Sequence, residues 1–294
     1  PPGGANDIVA RPLQPQVAAA LGQPITIENR GGGATQIGTE AVARAAPDGY
    51  TFLLTNIALG ANPSLFAKLP YDTTKDLAPI TLISTVPLVL VVHPSVAAQN
   101  VAEFIALAKA KPGTLNYASA GNGSANHLSM EMFRASAGLD VVHVPYKGFG
   151  PALTDLLAGR VSSAFASTLA ALPHVRAGKL RTLGISSARR SAVAPEVPTI
   201  AESGLPGFDV MEWQMLLAPA GTPPEILERM QREVVAALQA NEVRARLTEL
   251  GATPVGGSAA EAQAFLRAEL ARWADLARRA AIKPQDERAA ASRR

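Results

Sequence analysis

The strongest constraint on the fold is the alternation of short apolar runs with longer Ala-rich segments of helical periodicity. The apolar runs are predicted strands: Pro24–Asn29, Tyr50–Asn56, Ala78–Ser84, Leu88–His93, Asn116–Ala118, Val141–Val144, Ser162–Ala166, Thr182–Ser186 and Met215–Ala218. The Ala-rich segments are predicted helices: Ile8–Leu21, Ile37–Arg44, Val101–Lys109, Ala125–Ser136, Pro151–Ala158, Leu169–Arg176, Pro224–Gln239, Asn241–Leu250 and Ala259–Ala280. Such alternation indicates an α/β fold with parallel sheets built from βαβ units.

Composition removes several classes of function. The chain has no cysteine, which excludes disulfides, thiolate metal sites and cysteine nucleophiles. The net charge is +3, but the basic residues form no patch beside aromatic side chains, so we expect no nucleic-acid partner. The most apolar run, Pro79–His93, is interrupted by Ser84, Thr85 and Pro87, and it is shorter than the roughly 18 residues that span a bilayer. It is predicted to form two buried strands.

Signatures of catalysis are largely missing from the sequence. No serine lies in a G-x-S-x-G elbow, and no H-E-x-x-H motif occurs. His127 and Glu131 are four residues apart on one predicted helix, so they could form a two-ligand metal site; an ordinary helical pair is the interpretation we favour. We expect no metal and no cofactor.

A glycine-rich turn, Gly31–Gly38, follows a predicted strand and opens a helix, as a dinucleotide-binding loop would. The G-x-G-x-x-G spacing requires glycine where Gln36 stands, and no Lys-Ser or Lys-Thr pair follows as in a P-loop. A tight strand-to-helix turn, or a turn that lines a ligand, is therefore favoured over a nucleotide site.

Two segments are suited to hold an anion without a charged side chain. Pro1–Arg11 carries two glycines ahead of a predicted helix, and Ser119–His127 follows a strand and leads into an amphipathic helix. Small residues leave main-chain N–H groups uncovered, and a helix N-terminus carries about half a positive charge. The alternative for each segment is a capped helix behind a glycine-rich turn.

Two further predicted strands end in small polar residues, namely Thr55-Asn56 and Ser167-Thr168. Ligands of open α/β sheets bind beyond the carboxyl ends of strands, where these residues are expected. Hydroxyl groups that merely cap loops are the alternative.

At these segments the sequence resembles the tripartite tricarboxylate transporter receptors, the TctC or Bug family of periplasmic solute-binding proteins. The resemblance rests on collinear motifs along nearly the whole chain: Pro1-Pro2-Gly3-Gly4 with Asp7 and Ala10-Arg11, Glu28-Asn29-Arg30, Ala46–Thr51, Tyr117–Gly121 with Gly123-Ser124 and His127-Leu128, Val144–Gly148, Pro195–Thr199 with Glu202, and Ala218–Pro223.

This resemblance implies a two-domain α/β fold of the periplasmic-binding-protein (Venus-flytrap) type, with a ligand cleft between the domains. Domain 1 would be discontinuous, comprising residues 1–96 and 217–294, and domain 2 would comprise residues 97–216. The family pattern has a short strand before Pro1-Pro2-Gly3-Gly4 that this sequence lacks, as it lacks a signal peptide. We expect the natural gene to encode both.

The ligand-binding residues are those that match the family's motifs by position. They are Gly3, Gly4, Ala5, Asn6, Thr55, Asn56, Ser119, Gly121, Asn122, Gly123, Ser124, His127 and Ser167. Asn6 stands at a variable position of the family and is a candidate for specificity.

The resemblance implies a monomeric periplasmic receptor that captures a small carboxylate, such as an amino acid, a di- or tricarboxylate or an aromatic carboxylate, for the membrane subunits of a tripartite tricarboxylate transporter. An alternative is a periplasmic ligand sensor for a signalling system. An enzyme would need a general base, for which the nominated loops offer only His127 and Asp7, and we expect no enzymatic activity.

Overall fold

The computed structural model describes residues 4–192 and 194–279. The described residues contain eight strands: β1 (Leu53–Asn56), β2 (Leu77–Val92), β3 (Asn116–Ser119), β4 (Val142–Pro145), β5 (Ser163–Ser167), β6 (Arg181–Ile185), β7 (Met211–Pro219) and β8 (Thr253–Gly256). They also contain ten α-helices: α1 (Ala5–Leu21), α2 (Gln36–Ala43), α3 (Ala58–Leu65), α4 (Val101–Ala110), α5 (Ala125–Ala137), α6 (Phe149–Leu157), α7 (Thr168–Arg176), α8 (Pro224–Gln239), α9 (Asn241–Glu249) and α10 (Ala259–Arg279). Among these helices, none is both long and apolar enough to span a bilayer.

The chain divides into two compact units. Unit 1 contains the described residues up to Thr85 and those from Trp213 onward, and unit 2 is Val86–Glu212. The divisions follow residues 85 and 212, earlier in the chain than the predicted domain boundaries after residues 96 and 216. The assignment of ligand-binding domains stays a prediction.

Unit 1 is built around a short antiparallel sheet. β1 pairs with β7, so that Thr55 faces Met215 and Asn56 faces Gln214, and β8 pairs with the first half of β2. The core contains two fully buried tryptophans, Trp213 of β7 and Trp273 of α10. The indole N–H of Trp213 donates to the buried carboxylate of Glu269 at 2.8 Å, which satisfies the one polar group of that side chain.

Unit 2 contains the parallel pairing that the alternation predicts. β3 pairs in parallel with both β4 and β5, while the second half of β2 pairs antiparallel with β5 and β6. The two helices that follow the ends of β3 and β5, α5 and α7, begin at the edge of the sheet where these parallel strands end. This edge holds one group of the nominated residues.

Several sequence predictions are corrected by the structure. The α/β class is confirmed, but instead of parallel sheets unit 1 has antiparallel pairing and unit 2 has mixed pairing. Pro24–Asn29 is no strand; its alternate residues are exposed, and the carbonyl of Ile25 accepts from the side chain of Gln14. The segment Pro79–His93 was predicted as two strands, but it forms most of the single strand β2. Pro87 has no N–H to donate, but it lies between the residues that pair with β8 and those that pair with β5, so the strand continues through it.

Helix α3 and strand β8 were not predicted. The sequence of α3 (Ala58–Leu65) has little amphipathic periodicity, since five of its eight residues are buried on all sides. β8 (Thr253–Gly256) has only four residues and contains Pro254. Neither carries the repeated apolar pattern from which the other elements were predicted.

Candidate functional site

The serine loop, Ser119–His127, joins the end of β3 to the start of α5 in unit 2. Two of its residues require glycine: Gly121 has φ of 118° and Gly123 has φ of 74°. A Cβ on Gly121 would also lie 3.1 Å from the carbonyl oxygen of Tyr146. The glycines therefore permit a backbone path that other residues would strain.

Most polar groups of the serine loop are paired within the loop. Ser124 Oγ donates to the carbonyl of Gly121 at 2.7 Å and accepts from the amide of His127 at 3.4 Å, which makes Ser124 the N-cap of α5. The amide of Gly121 donates to Ser119 Oγ at 3.1 Å, and the amide of Gly123 donates to Nδ1 of His127 at 3.2 Å. The loop is thus held in shape before any ligand arrives.

The first turn of α5 contains open main-chain donors of the loop. Within the part of the chain that the structure describes, the main-chain amides of Ala125 and Asn126 donate to no acceptor, and the first hydrogen bond of the helix runs from Leu128 to Ser124. Asn122 is exposed beside them. Two unpaired amides and the positive end of a 13-residue helix form a local arrangement that attracts an anion.

Contacts along the same sheet edge bring further residues to the serine loop. Nδ2 of Asn126 donates to the carbonyl of Phe165 at 2.8 Å, two residues before the nominated Ser167. Ser167 caps α7 by accepting from the amide of Ala170 at 3.3 Å. Ser167 and the serine loop therefore lie at the ends of neighbouring parallel strands, β5 and β3.

The turn after β4 supports the serine loop from its other side. The amide of Tyr146 donates to the carbonyl of Ser119 at 3.1 Å, and that of Gly148 donates to the carbonyl of Ala120 at 3.2 Å. From the sequence, Val144–Gly148 was recognised only as a family motif, and no supporting role was predicted for this turn. Its position in the sequence, directly after a predicted strand, could have indicated that this turn lies near the end of a neighbouring strand.

Three stacked aromatic rings lie under the serine loop. The ring of His143 is 4.7 Å from that of Tyr117 and 4.3 Å from that of His127. Nε2 of His143 lies 2.6 Å from Ser119 Oγ. Burial lowers the pKa of His127, and burial together with the neighbouring His127 lowers the pKa of His143 to about 4. Both rings are therefore neutral near pH 7. His143 was not nominated from the sequence.

The carboxylate of Glu131 is committed to structural contacts. Its Oε1 accepts from the hydroxyl of Tyr117 at 2.5 Å and from the guanidinium of Arg134 at 2.6 Å. Although burial opposes it, these partners hold the pKa of Glu131 below its ordinary value. Within the described residues, no group of three or more candidate metal ligands occurs. These contacts give Glu131 a structural role within unit 2.

The remaining nominated residues lie in unit 1. Gly4 is the N-cap of α1 and accepts from the amide of Ile8 at 2.9 Å, and Ala5 and Asn6 are the first two residues of that helix. Thr55 and Asn56 end β1, where Oδ1 of Asn56 accepts from the amide of Ala58 at 3.2 Å. Gly3 lies outside the described residues.

Unit 1 differs from the serine loop in that several polar atoms at the starts of its helices and the end of β1 have no partner. We call Asn6, Thr35, Gln36 and Thr55 the strand-end set. The buried atoms Oδ1 of Asn6, Oγ1 of Thr35, Nε2 of Gln36 and Oγ1 of Thr55 make no hydrogen bond. Gln36 and Thr55 are buried residues, with 6% and 1% of their surface exposed. Buried unpaired polar atoms are rare in proteins and point to a missing partner.

Thr35 and Gln36 follow the glycine-rich turn of unit 1, whose backbone is unusual. Ala34 and Thr35 have φ of 50° and 74°, which side-chain-bearing residues seldom adopt. The carbonyl of Ala34 accepts from Asn62 at 2.9 Å, and that of Thr35 accepts from Thr39 at 2.9 Å. The sequence indicated the turn as a possible ligand-lining element but did not identify these two side chains.

Asp7, the other candidate general base, is buried and paired. Its Oδ2 accepts from Nε of Arg11 at 3.0 Å, and its Oδ1 accepts from the side chain of Asn29 at 2.9 Å. These bonds link two motifs of the sequence, Asp7 with Arg11 and Glu28-Asn29-Arg30. They give Asp7 a structural role in fixing α1.

Comparison with known proteins places the chain among solute-binding proteins. The sequence profile of the tripartite tricarboxylate transporter family receptors matches residues 9–282. The protein BugT of Bordetella pertussis is 40% identical over 285 residues, covering 96% of this chain and 87% of BugT.

Two solved structures resemble the chain over almost its whole length. R. palustris Rpa4515 with adipate has a TM-score of 0.86 and 36% identity, and the periplasmic binding protein BugD has a TM-score of 0.85 and 33% identity. Each match covers 96% of this chain and 95% of the other. The predicted two-domain α/β fold of the periplasmic-binding-protein type is confirmed by these similarities.

Proposed function

The chain belongs to the tripartite tricarboxylate transporter receptor family, as the sequence motifs predicted, and we propose on this premise that it captures a small carboxylate for a transporter of that type. The proteins of this family are periplasmic binding proteins rather than enzymes. The capture of a carboxylate, the transporter partner and the site residues are the parts that we propose.

The observation that carries the proposal is the first turn of α5. Its amides of Ala125 and Asn126 are unpaired, and the N-cap Ser124 and the glycines of the serine loop fix their direction. A carboxylate has two oxygens that can each accept such an N–H, and charge-assisted hydrogen bonds of this kind are stronger than neutral ones. The related Rpa4515, whose structure contains adipate, supports a carboxylate as the ligand.

The proposed site would bind without chemical conversion. Its two candidate bases have other contacts, since Asp7 accepts from Arg11 and Asn29 and His127 accepts from the amide of Gly123. Within unit 1, the unpaired atoms of the strand-end set would be available to hydrogen-bond a ligand. The cleft and the closure of two domains implied by the family remain predictions.

Isothermal titration calorimetry at pH 7.5 tests the proposal, with adipate first and then shorter dicarboxylates, tricarboxylates, amino acids and aromatic carboxylates. We expect saturable one-to-one binding of at least one carboxylate and no binding of adipamide, which has the same chain length but no charge. Absence of binding by every carboxylate at millimolar concentration would contradict the proposal. Uptake of the bound ligand by cells with and without the membrane subunits would then separate transport from sensing.

A further inference from the structure

The amide of Gly123 and the ring of His127 form a contact that depends on protonation. The N–H of Gly123 points to Nδ1 of His127 at 3.2 Å. An imidazole nitrogen accepts a hydrogen bond only when it carries no proton. The serine loop in this conformation therefore requires neutral His127, with its proton on Nε2.

His143 extends the same arrangement to the other glycine of the loop. Its ring stacks on that of His127 at 4.3 Å, and its Nε2 lies 2.6 Å from Ser119 Oγ. The same hydroxyl oxygen accepts the amide of Gly121 at 3.1 Å. The amide of Gly123 thus donates to the ring of His127 itself, and the amide of Gly121 donates to Ser119 Oγ, which lies against the ring of His143.

Among the residues that the structure describes, four titratable or charged side chains face His127. Tyr117 comes from β3 and His143 from β4, while Glu131 and Arg134 come from α5 itself. Glu131 pairs with both Tyr117 and Arg134, so the two opposite charges largely offset each other at the ring. Burial is the largest influence on His127 and lowers its pKa, so protonation occurs in the acidic range.

We propose that His127 is a positioning residue whose neutral ring holds the serine loop in its ligand-binding conformation, so that acid weakens the binding of carboxylates. Protonation of Nδ1 would place two N–H groups against each other and displace the Gly123 amide. The first turn of α5, which begins two residues after Gly123, would then lose its fixed approach to the ligand. This inference rests on the proposed function and adds a regulatory property to the same site.

The direction of the pH effect distinguishes positioning from direct contact. An imidazolium that touched the ligand carboxylate would bind it more tightly as the pH falls. A neutral ring that only holds the loop gives the opposite result, because the binding-competent fraction of the protein decreases. The two roles therefore predict opposite slopes of affinity against pH.

The experiment compares adipate binding by the full chain and three variants between pH 8 and pH 5. His127→Asn places an oxygen near the position of Nδ1 and keeps an acceptor that does not titrate. His127→Phe keeps a ring without an acceptor, and His143→Gln keeps a polar group near Ser119. The ratio of the wild-type affinity to that of His127→Asn cancels protonation of the ligand itself.

We expect His127→Asn to bind within about threefold of the wild type at pH 8, and His127→Phe to bind at least about tenfold more weakly, since a hydrogen-bond donor of the loop loses its acceptor. The affinity ratio should fall with acid, approaching about tenfold per pH unit below the pKa of His127. His143→Gln should retain the acid sensitivity. A flat or rising ratio, or wild-type binding by His127→Phe, would overturn the positioning role.

Nuclear magnetic resonance provides a second readout that needs no ligand. The nitrogen chemical shifts of the His127 ring should show Nδ1 without a proton at pH 7.5, and the Gly123 amide should shift as the ring titrates. A proton on Nδ1 at pH 7.5 would overturn the inference. If the wild type binds no carboxylate at pH 8, the proposed function fails, while these shifts still decide whether His127 holds the loop.

Discussion

The serine loop and the strand-end set both consist of polar residues near the starts of helices or the end of a strand, yet their hydrogen bonding differs. In the serine loop, the side chains of Ser119, Ser124 and His127 are paired, and within the described residues the amides of Ala125 and Asn126 in α5 are among the main-chain donors that remain open. In the strand-end set, all four side chains carry a buried polar atom without a partner. The first region is preorganised, whereas the second retains unpaired groups that a ligand or water can satisfy.

Gly121→Ala is expected to have the largest effect on stability and affinity, because it changes the backbone of the preorganised serine loop. The residue has φ of 118°, and a Cβ there meets the carbonyl of Tyr146 at 3.1 Å. We expect a loss of about 1–3 kcal/mol in the free energy of unfolding and a fall in adipate affinity of more than about tenfold. Urea denaturation and calorimetry measure the two effects.

Gly138→Ala is the matched control at the other end of α5. Its φ is 64°, and no atom lies within 4 Å of an added Cβ. A loss of about 1 kcal/mol of stability with unchanged affinity is expected. Equal loss of affinity in the two variants would show that binding does not depend on the shape of the serine loop.

Ser124→Ala removes the N-cap of α5 and should have the second largest effect. Loss of a helix N-cap lowers stability by about 1 kcal/mol. Because the same hydroxyl holds the carbonyl of Gly121, affinity should fall as well. Asn100→Ala removes the equivalent cap of α4 in the same unit and should lower stability alike, with no change in affinity. If Ser124→Ala and Asn100→Ala bind adipate equally well, the cap of α5 has no special part in binding.

The stability of unit 2 should depend on pH through His143. Its pKa is about 4 in the folded chain because of burial and the neighbouring His127, below the ordinary 6.5. The unfolded chain therefore binds a proton that the folded chain does not, and the free energy of unfolding falls as the pH decreases from about 6.5 to about 4. Above about pH 6.5 His143 is neutral in both the folded and the unfolded chain, so the free energy of unfolding keeps its full value and no longer depends on pH through this residue.

Urea denaturation at several pH values measures this dependence. His143→Gln should reduce the slope between pH 6.5 and pH 4 relative to the wild type. An unchanged slope would mean that other groups determine the acid sensitivity, and the stacked pair would then have no special part in it.

Thr55→Val tests the strand-end set and has the smallest expected effect on stability. The hydroxyl of Thr55 is buried and unpaired, so its replacement by a methyl group of similar size should leave the free energy of unfolding unchanged or raise it by up to about 1 kcal/mol. Adipate affinity should fall if the hydroxyl bonds the ligand. Thr73→Val, which also removes a buried unpaired hydroxyl, is the control expected to leave affinity unchanged.

The contrast between the two regions also shows what the sequence could predict. The serine loop was recognisable because Gly121, Gly123 and Ser124 are local signals for a turn and a helix cap. The role of His143 was not recognisable, since Ser119 and His143 are 24 residues apart and meet only when β3 pairs with β4. Turns and helix caps can be predicted because their residues are neighbours in the sequence. The contact between Ser119 and His143 cannot be predicted in this way, because it forms only when two strands pair.

The strand-end set illustrates the same limit in unit 1. The order of helices and strands predicted the α/β class, and a strand that ends at Asn56 was predicted from the sequence and is present. Gln36 counted only as evidence against a dinucleotide loop, because no local pattern shows that its amide is buried without a partner. Unpaired atoms become visible only when all neighbours are known.

A crystal structure of the full chain with a bound carboxylate tests the central claim most directly. Adipate is the first ligand to use if calorimetry confirms that it binds. We expect carboxylate oxygens at about 2.7–3.2 Å from the amide nitrogens of Ala125 and Asn126, with the serine loop unchanged. A carboxylate bound instead to a lysine or arginine side chain, with both amides left unpaired, would contradict it.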